Sequence, residues 1–245
     1  MNLIKLFNYK YNISTLGQLG FNEMASPIGE RLLLLHNQIM FVVVFFVLFV
    51  GIILYKVLDN KIKTKNFHHW PNLEFIWTII PMIICGSIAA KSIKILYKND
   101  YIHNPYITIK AIGNQWYWSY EQNDWSNWNI SIDQYMKPDN DLDTGEFRNY
   151  SVSEEWVIPI NKEIRLITYS RDVIHSFAIP PIGLKSDAIP GRLNQINMLV
   201  KIPGLYYGQC SEICGELHSF MPICFKAVSQ LQWNKWAIEH AEYVE

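Results

Sequence analysis

The chain has 245 residues, half of them hydrophobic, with 21 basic residues against 22 acidic ones. A net charge of −1 supplies no basic field for nucleic acid, and four cysteines are too few for a disulfide scaffold at this length. The length admits one domain, or a small domain plus membrane segments. Met1–Leu19 is polar, aromatic and Asn-rich. Leu32–Leu54 then runs 23 residues without a formal charge. As a helix it would cover roughly 34 Å, against about 30 Å of hydrocarbon. Asn72–Ala90 is a second candidate span, interrupted by Glu74 near its start and by Pro81. β-Branched and aromatic composition would suit strands in water, so length decides for helices. The first span lies too deep and is too long for a secretory signal.

The loop Tyr55–Pro71 carries Lys56, Lys61, Lys63 and Lys65 against Asp59, which favours the cytoplasmic or matrix side. Lys91, Lys94 and Lys98 at the far end of the second span dilute that signal. A two-helix hairpin returns both termini to one face, so the remainder of the chain is expected on the outer side. Lys91 is expected to snorkel to that outer interface, and snorkelling is one reading of Glu74. The expected organisation is an outer segment 1–31, a transmembrane hairpin 32–98 with spans at about 32–54 and 72–94, and a domain 99–245.

After Tyr101, polar turns separate short alternating runs. Ile107–Ile112, Trp116–Tyr120, Glu155–Ile160, Glu163–Tyr169, Ile196–Ile202 and Pro222–Val228 read as strands, with Ile196, Met198, Val200 and Ile202 on one face. Such spacing with Pro and Gly turns predicts an all-β sandwich or barrel. Cys224 reads as a buried strand thiol. Gln230–Ala241 reads as a short amphipathic helix with Trp233, Trp236 and Ala237 inward.

Chemistry concentrates in Cys210–Met221 (CSEICGELHSFM), which spaces two thiols, an imidazole and a thioether by four, four and three. Gly204, Gly208, Gly215 and Pro222 make this a tight loop between strands. Mononuclear electron-transfer copper sites use two His, one Cys and a weak Met. The cassette lacks one His and has a surplus Cys, and a surplus thiolate can bridge to a second metal ion. Structural zinc is a rival, although it leaves Met221 unexplained. A disulfide, or plain strand and loop residues, are the remaining alternatives. The candidate for the missing imidazole is His175 in Asp172–Pro180 (DVIHSFAIP); a satisfied strand-end histidine is the bland alternative. His103 and His240 compete poorly by position.

The run Asp187–Gln209 (DAIPGRLNQINMLVKIPGLYYGQ), continuing through CSEICGELHSFMPI, resembles the subunit 2 family of cytochrome c oxidases, of mitochondrial type. Gln115–Glu121 (QWYWSYE), Asp172–Ser176, Gly20–Phe21 and Ser26–Ile28 carry the same likeness. The resemblance implies a two-helix membrane hairpin with a cupredoxin-like β domain in the intermembrane space of the mitochondrial inner membrane. It implies a dinuclear copper A centre held by His175, Cys210, Cys214, His218 and Met221, with the backbone carbonyl of Glu212. It further implies magnesium on the Glu212 carboxylate at the boundary with subunit 1, although a solvated carboxylate is the plainer reading of that residue.

The same likeness makes Trp116 the point where electrons arrive from cytochrome c, with Tyr117 and Trp118 as packing residues. Glu121 and Asp172 match docking positions for that basic partner, within a set that includes Asp124, Asp133, Asp139, Asp141 and Asp143. The Asp124–Trp128 stretch departs from the family pattern. Glu74 matches a glutamate at the mouth of a proton-uptake path. The implied activity is electron input to an oxidase whose haem and oxygen chemistry reside in subunit 1, with coupled proton pumping. Neither the thioredoxin-like pattern of a copper chaperone nor the lost ligands of a quinol-oxidising relative is present.

Overall fold

A computed structural model describes residues 13–14, 17–62, 69–125 and 128–243. Lys63 and Lys65, residues 1–12 and residues 126–127 lie outside that description. The chain divides into two compact units: Arg31–Tyr97, and Lys98–Glu245 together with the segment ending at Glu30.

Two helices make up the first unit. Helix α1 (Pro27–Asp59) begins after Ser26, whose hydroxyl accepts from the Gly29 N–H at 2.9 Å. Pro27 fits the first helical position, where an N–H has no helical partner to lose. Helix α2 (Pro71–Asp100) also opens on proline and runs through Pro81. At 33 and 30 residues they measure about 50 and 45 Å. Both therefore extend past the spans 32–54 and 72–94. Their most apolar stretches are wholly unburied within the protein, and apolar surface on this scale is stable in hydrocarbon.

A polar contact joins α1 to α2: Lys91 Nζ donates to Gln38 Oε1 at 2.8 Å. An amide acceptor on the neighbouring helix thus meets the Lys91 ammonium. Glu74 sits in the first turn of α2, 3.4 Å from His69 Nδ1.

Strands of the second unit are β1 (Ile107–Asn114), β2 (Tyr117–Trp125), β3 (Trp128–Gln134), β4 (Trp156–Pro159), β5 (Ile164–Ser170) and β6 (His175–Ile179). They continue with β7 (Leu184–Ala188), β8 (Asn194–Met198), β9 (Gly204–Gln209), β10 (Pro222–Val228) and β11 (Glu242–Tyr243). One sheet has the order β11-β3-β2-β1-β5-β8, a second β4-β10-β9, and a third pairs β6 with β7. β1 runs parallel to β5 and β4 to β10. Alternation in β5 buries Ile164, Leu166, Thr168 and Ser170 on one face.

Two expectations change here. Trp116 lies in the turn before β2 and does not open the strand. Ile202 is exposed, because β8 ends at Met198 and the chain leaves the sheet before reaching it.

Helix α3 (Gln230–His240) starts with a reciprocal Ser229–Gln232 capping box. It buries Trp233 and Ala237 and sets Trp236 5.3 Å from Trp156. The core between the sheets is aromatic: Trp118, Tyr120, Trp156, Phe177 and Phe225 are fully buried. Cys224 on β10 is buried, and burial pushes its thiol well above the usual range.

Backbone hydrogen bonds fix the segment before α1 to this domain. The Ala25 N–H donates to the Pro181 carbonyl at 2.8 Å, and the Lys201 N–H to the Ala25 carbonyl at 2.9 Å.

Candidate metal centre

Strands β9 and β10 are antiparallel neighbours, with Gln209 opposite Pro222. The loop between them therefore leaves and returns at one place, which sets Cys210 and Met221 side by side at its base. His175 comes from elsewhere, as the first residue of β6. The two segments are joined where the Ser211 N–H donates to the Ser176 carbonyl at 3.0 Å.

The donors form two halves around a pair of thiols. Cys210 Sγ lies 4.0 Å from Cys214 Sγ, well beyond a disulfide bond. Cys210 Sγ is 3.9 Å from His175 Nδ1 and 3.2 Å from the Glu212 carbonyl oxygen. Cys214 Sγ is 3.5 Å from His218 Nδ1 and 3.5 Å from Met221 Sδ. Each thiol thus has one imidazole and one weaker donor of its own. The metal-ligating atoms of His175, Cys210 and Cys214 lie within 4.8 Å of one another, and all three residues are buried.

A set of two thiols with imidazole and thioether donors beside them fits copper. A single tetrahedral zinc would gather four donors about one point and leave the Met221 sulfur idle.

Neighbouring residues hold the donors in place. Gly113 on β1 makes room for the His175 ring, since a Cβ there would stand 2.7 Å from His175 Cδ2. Asp172 Oδ1 accepts from His175 Nε2 at 2.8 Å, leaving Nδ1 turned toward Cys210. Asp172 also accepts from the N–H groups of Gln115 and Val173, both at 2.6 Å. Burial works against its charge, but these donors outweigh it and hold the carboxyl below its ordinary range.

Burial likewise opposes ionisation of Cys210, yet the His175 contact and backbone hydrogen bonds bring its thiol down to about 7. Burial, and then the neighbouring Cys210, push Cys214 up to about 12. Burial and the nearby Cys210 thus favour the protonated Cys214 thiol. A metal that takes both as thiolates must displace that proton.

Trp116 lies against the loop. A Cβ on Gly215, whose φ is +130°, would stand 3.0 Å from Trp116 Cζ2. Only glycine combines that backbone with this close approach. Glu121 is flanked by Lys110 at 3.2 Å and Arg171 at 3.6 Å. The Glu212 side chain is exposed beside the ligand loop. Glu74 belongs to the helical unit and takes no part in this cluster. Sequence reasoning missed the roles of Gln115, Gly113 and Gly215. A glycine and a glutamine flanking apolar and aromatic residues carry no signal until the partner strand is placed.

A β domain anchored by apolar helices, with soft donors on one inter-strand loop, defines a membrane-bound cupredoxin-like copper protein. Residues 107–228 match the family model described as cytochrome c oxidase subunit II, periplasmic domain, and residues 14–95 that of its transmembrane domain. Cytochrome c oxidase subunit 2 of Metridium senile is 42% identical over 241 residues, covering 98% of this chain and 97% of that one. The Drosophila simulans subunit is 43% identical, over 91% of this chain and 97% of that one. The crystallised periplasmic domain of subunit II of the Bradyrhizobium japonicum oxidase is 41% identical with a TM-score of 0.52, over 57% of this chain and 96% of that one. The chain belongs to the cytochrome c oxidase subunit II family.

Proposed function

We propose that this chain is the electron-input subunit of a cytochrome c oxidase. It takes electrons singly from cytochrome c and delivers them to haem in subunit 1, where oxygen is reduced to water with coupled proton pumping. The two-sided donor set carries this reading: two thiols 4.0 Å apart, each with its own imidazole and weaker donor. His175, Cys210, Cys214, His218 and Met221 would hold a dinuclear copper A centre, with the Glu212 carbonyl completing the set. Such a pair, when bound, supplies a one-electron carrier whose ligands barely rearrange.

The remaining tasks fall to this chain's own residues. The Trp116 ring, packed on Gly215 next to Cys214, offers a partner's redox group a short approach to the ligand loop. Glu121 and Asp172 are docking carboxylates for a basic protein; Asp172 accepts from the Gln115 N–H beside that ring, and Glu121 lies further along β2. Each also has partners within the chain, which limits the charge it presents outward. The exposed Glu212 carboxylate suits magnesium, a hard cation that takes oxygen ligands, shared with subunit 1. Glu74, at the start of α2, stands at the mouth of a proton-uptake path. The setting is the mitochondrial inner membrane, with residues 99–245 in the intermembrane space, 1–31 on the same side and 32–98 as the hairpin.

Copper counting tests the reading. The full chain, purified in detergent and loaded with copper, should hold two copper ions and show an electron-spin signal shared between them. One copper per chain, or preference for zinc, would sink it.

A further inference from the structure

We propose that Gln115 is a positioning residue, a latch that ties the Trp116 turn to both segments bearing the ligands. Its side-chain Nε2 donates to the Cys214 carbonyl at 2.7 Å. Its backbone N–H donates to Asp172 Oδ2 at 2.6 Å, and the other oxygen of that carboxylate accepts from His175 Nε2. One residue in the two-residue turn between β1 and β2 therefore reaches Cys214 directly and His175 through a single intermediary.

Gln115 is exposed, and a surface glutamine with free rotamers would ordinarily be solvated. Here the side chain is directed instead into the ligand loop. Gly215 is the reason it can be: a Cβ there would stand 3.1 Å from Gln115 Nε2 as well as 3.0 Å from the Trp116 ring. The glycine that admits the tryptophan thus admits the latch too. On the far side, the Ser211–Ser176 hydrogen bond already joins the two ligand segments. Gln115 supplies the matching link on the side facing Trp116. Electron transfer falls steeply with distance, so a turn that moves with the loop keeps the ring at a constant separation from Cys214. The positional role rests on the function proposed above; the coupling between turn and loop does not.

Hydrogen exchange in the full, metal-free chain reads that coupling. Gln115→Met keeps the length and removes the donor, and Gln115→Glu keeps the shape and sets a carboxylate against the Cys214 carbonyl. Losing one hydrogen bond of ordinary net worth should speed exchange across residues 210–218 by roughly threefold to tenfold. Gln115→Glu should exceed Gln115→Met, with β4 and β10 unchanged in both. In the assembled oxidase, kcat with cytochrome c should fall by a larger factor than KM rises, and the copper absorption band should shift. Exchange that rises only within residues 113–118, or not at all, would overturn the latch. Failure to bind two coppers would instead remove the proposed function and leave the exchange result standing.

Discussion

Trp118, Tyr120, Trp156, Phe177 and Phe225 meet ring to ring at centroid separations of 5.2–6.3 Å. His175, Cys210, Cys214 and Met221 are equally buried, yet they meet through donor atoms 3.5–4.0 Å apart. The two regions touch, since Trp118 is 5.9 Å from His175 and Phe177 lies two residues along the same strand. What differs is how each fails. The aromatic region depends on filled volume and tolerates chemically similar replacements, whereas the donor region depends on atom placement and tolerates almost none.

The largest effect is expected in the aromatic region. Phe177 touches Trp118, Tyr120 and Phe225, so Phe177→Ala leaves a void that rigid neighbours cannot close. A loss of about 3–5 kcal/mol is expected in chemical denaturation. Copper content of the fraction that still folds should stay near normal, because no donor has moved off its segment. A stable variant that has lost copper would show that the two regions are not separable.

Asp172→Ala probes the converse. It removes the acceptor that holds His175 Nε2 and leaves the aromatic interior intact. Copper affinity should fall about 10- to 100-fold, in line with other partners that orient metal-bound histidines. The denaturation midpoint should move less than in Phe177→Ala, although the N–H groups of Gln115 and Val173 also lose their acceptor. Unchanged affinity in a competition titration would mean that Gly113 and the strand alone fix the ring.

The same contrast explains how much was legible in the sequence. The helices were readable from length and charge alone, because α1 and α2 have no competing explanation for so many consecutive apolar residues. The ligand loop was readable because donor spacing survives as text in Cys210–Met221. Strands β3, β6, β7, β9 and β11 carry no clear strand signal of their own. β6 contains His175 and reads as a motif; β9 is punctuated by Gly204 and Gly208 and reads as loop. Their pairing partners, not their own composition, make them strands. Gln115 and Gly113 were silent for the same reason, since a contact with His175 or Cys214 exists only once β1 is laid beside β6 and the loop. Asp172 reads in the sequence as a docking charge for a partner, while its carboxylate accepts from His175 Nε2 and from the N–H groups of Gln115 and Val173.

The smallest effect belongs to a third region, a part-exposed ion pair that belongs to neither. Lys137 Nζ lies 2.9 Å from Glu146, whose carboxylate also accepts from the Asp143 N–H at 2.9 Å. Burial favours the neutral acid, but the Lys137 contact and the Asp143 N–H prevail and lower its pKa from the ordinary value. A carboxyl whose pKa is lower folded than unfolded contributes stability above its unfolded pKa and loses it as pH falls through the folded one. Glu146→Gln should therefore cost at most about 1 kcal/mol at neutral pH, as expected of a partly exposed pair. The gap between variant and parent should close as pH falls through the lowered folded value, where the parent carboxyl also becomes neutral. Because the pair touches neither rings nor donors, copper affinity and the packing of the aromatic interior should be untouched throughout. A gap that widens as the solution is acidified would mean that the carboxyl is stabilised in its protonated form, which reverses the sign assigned here.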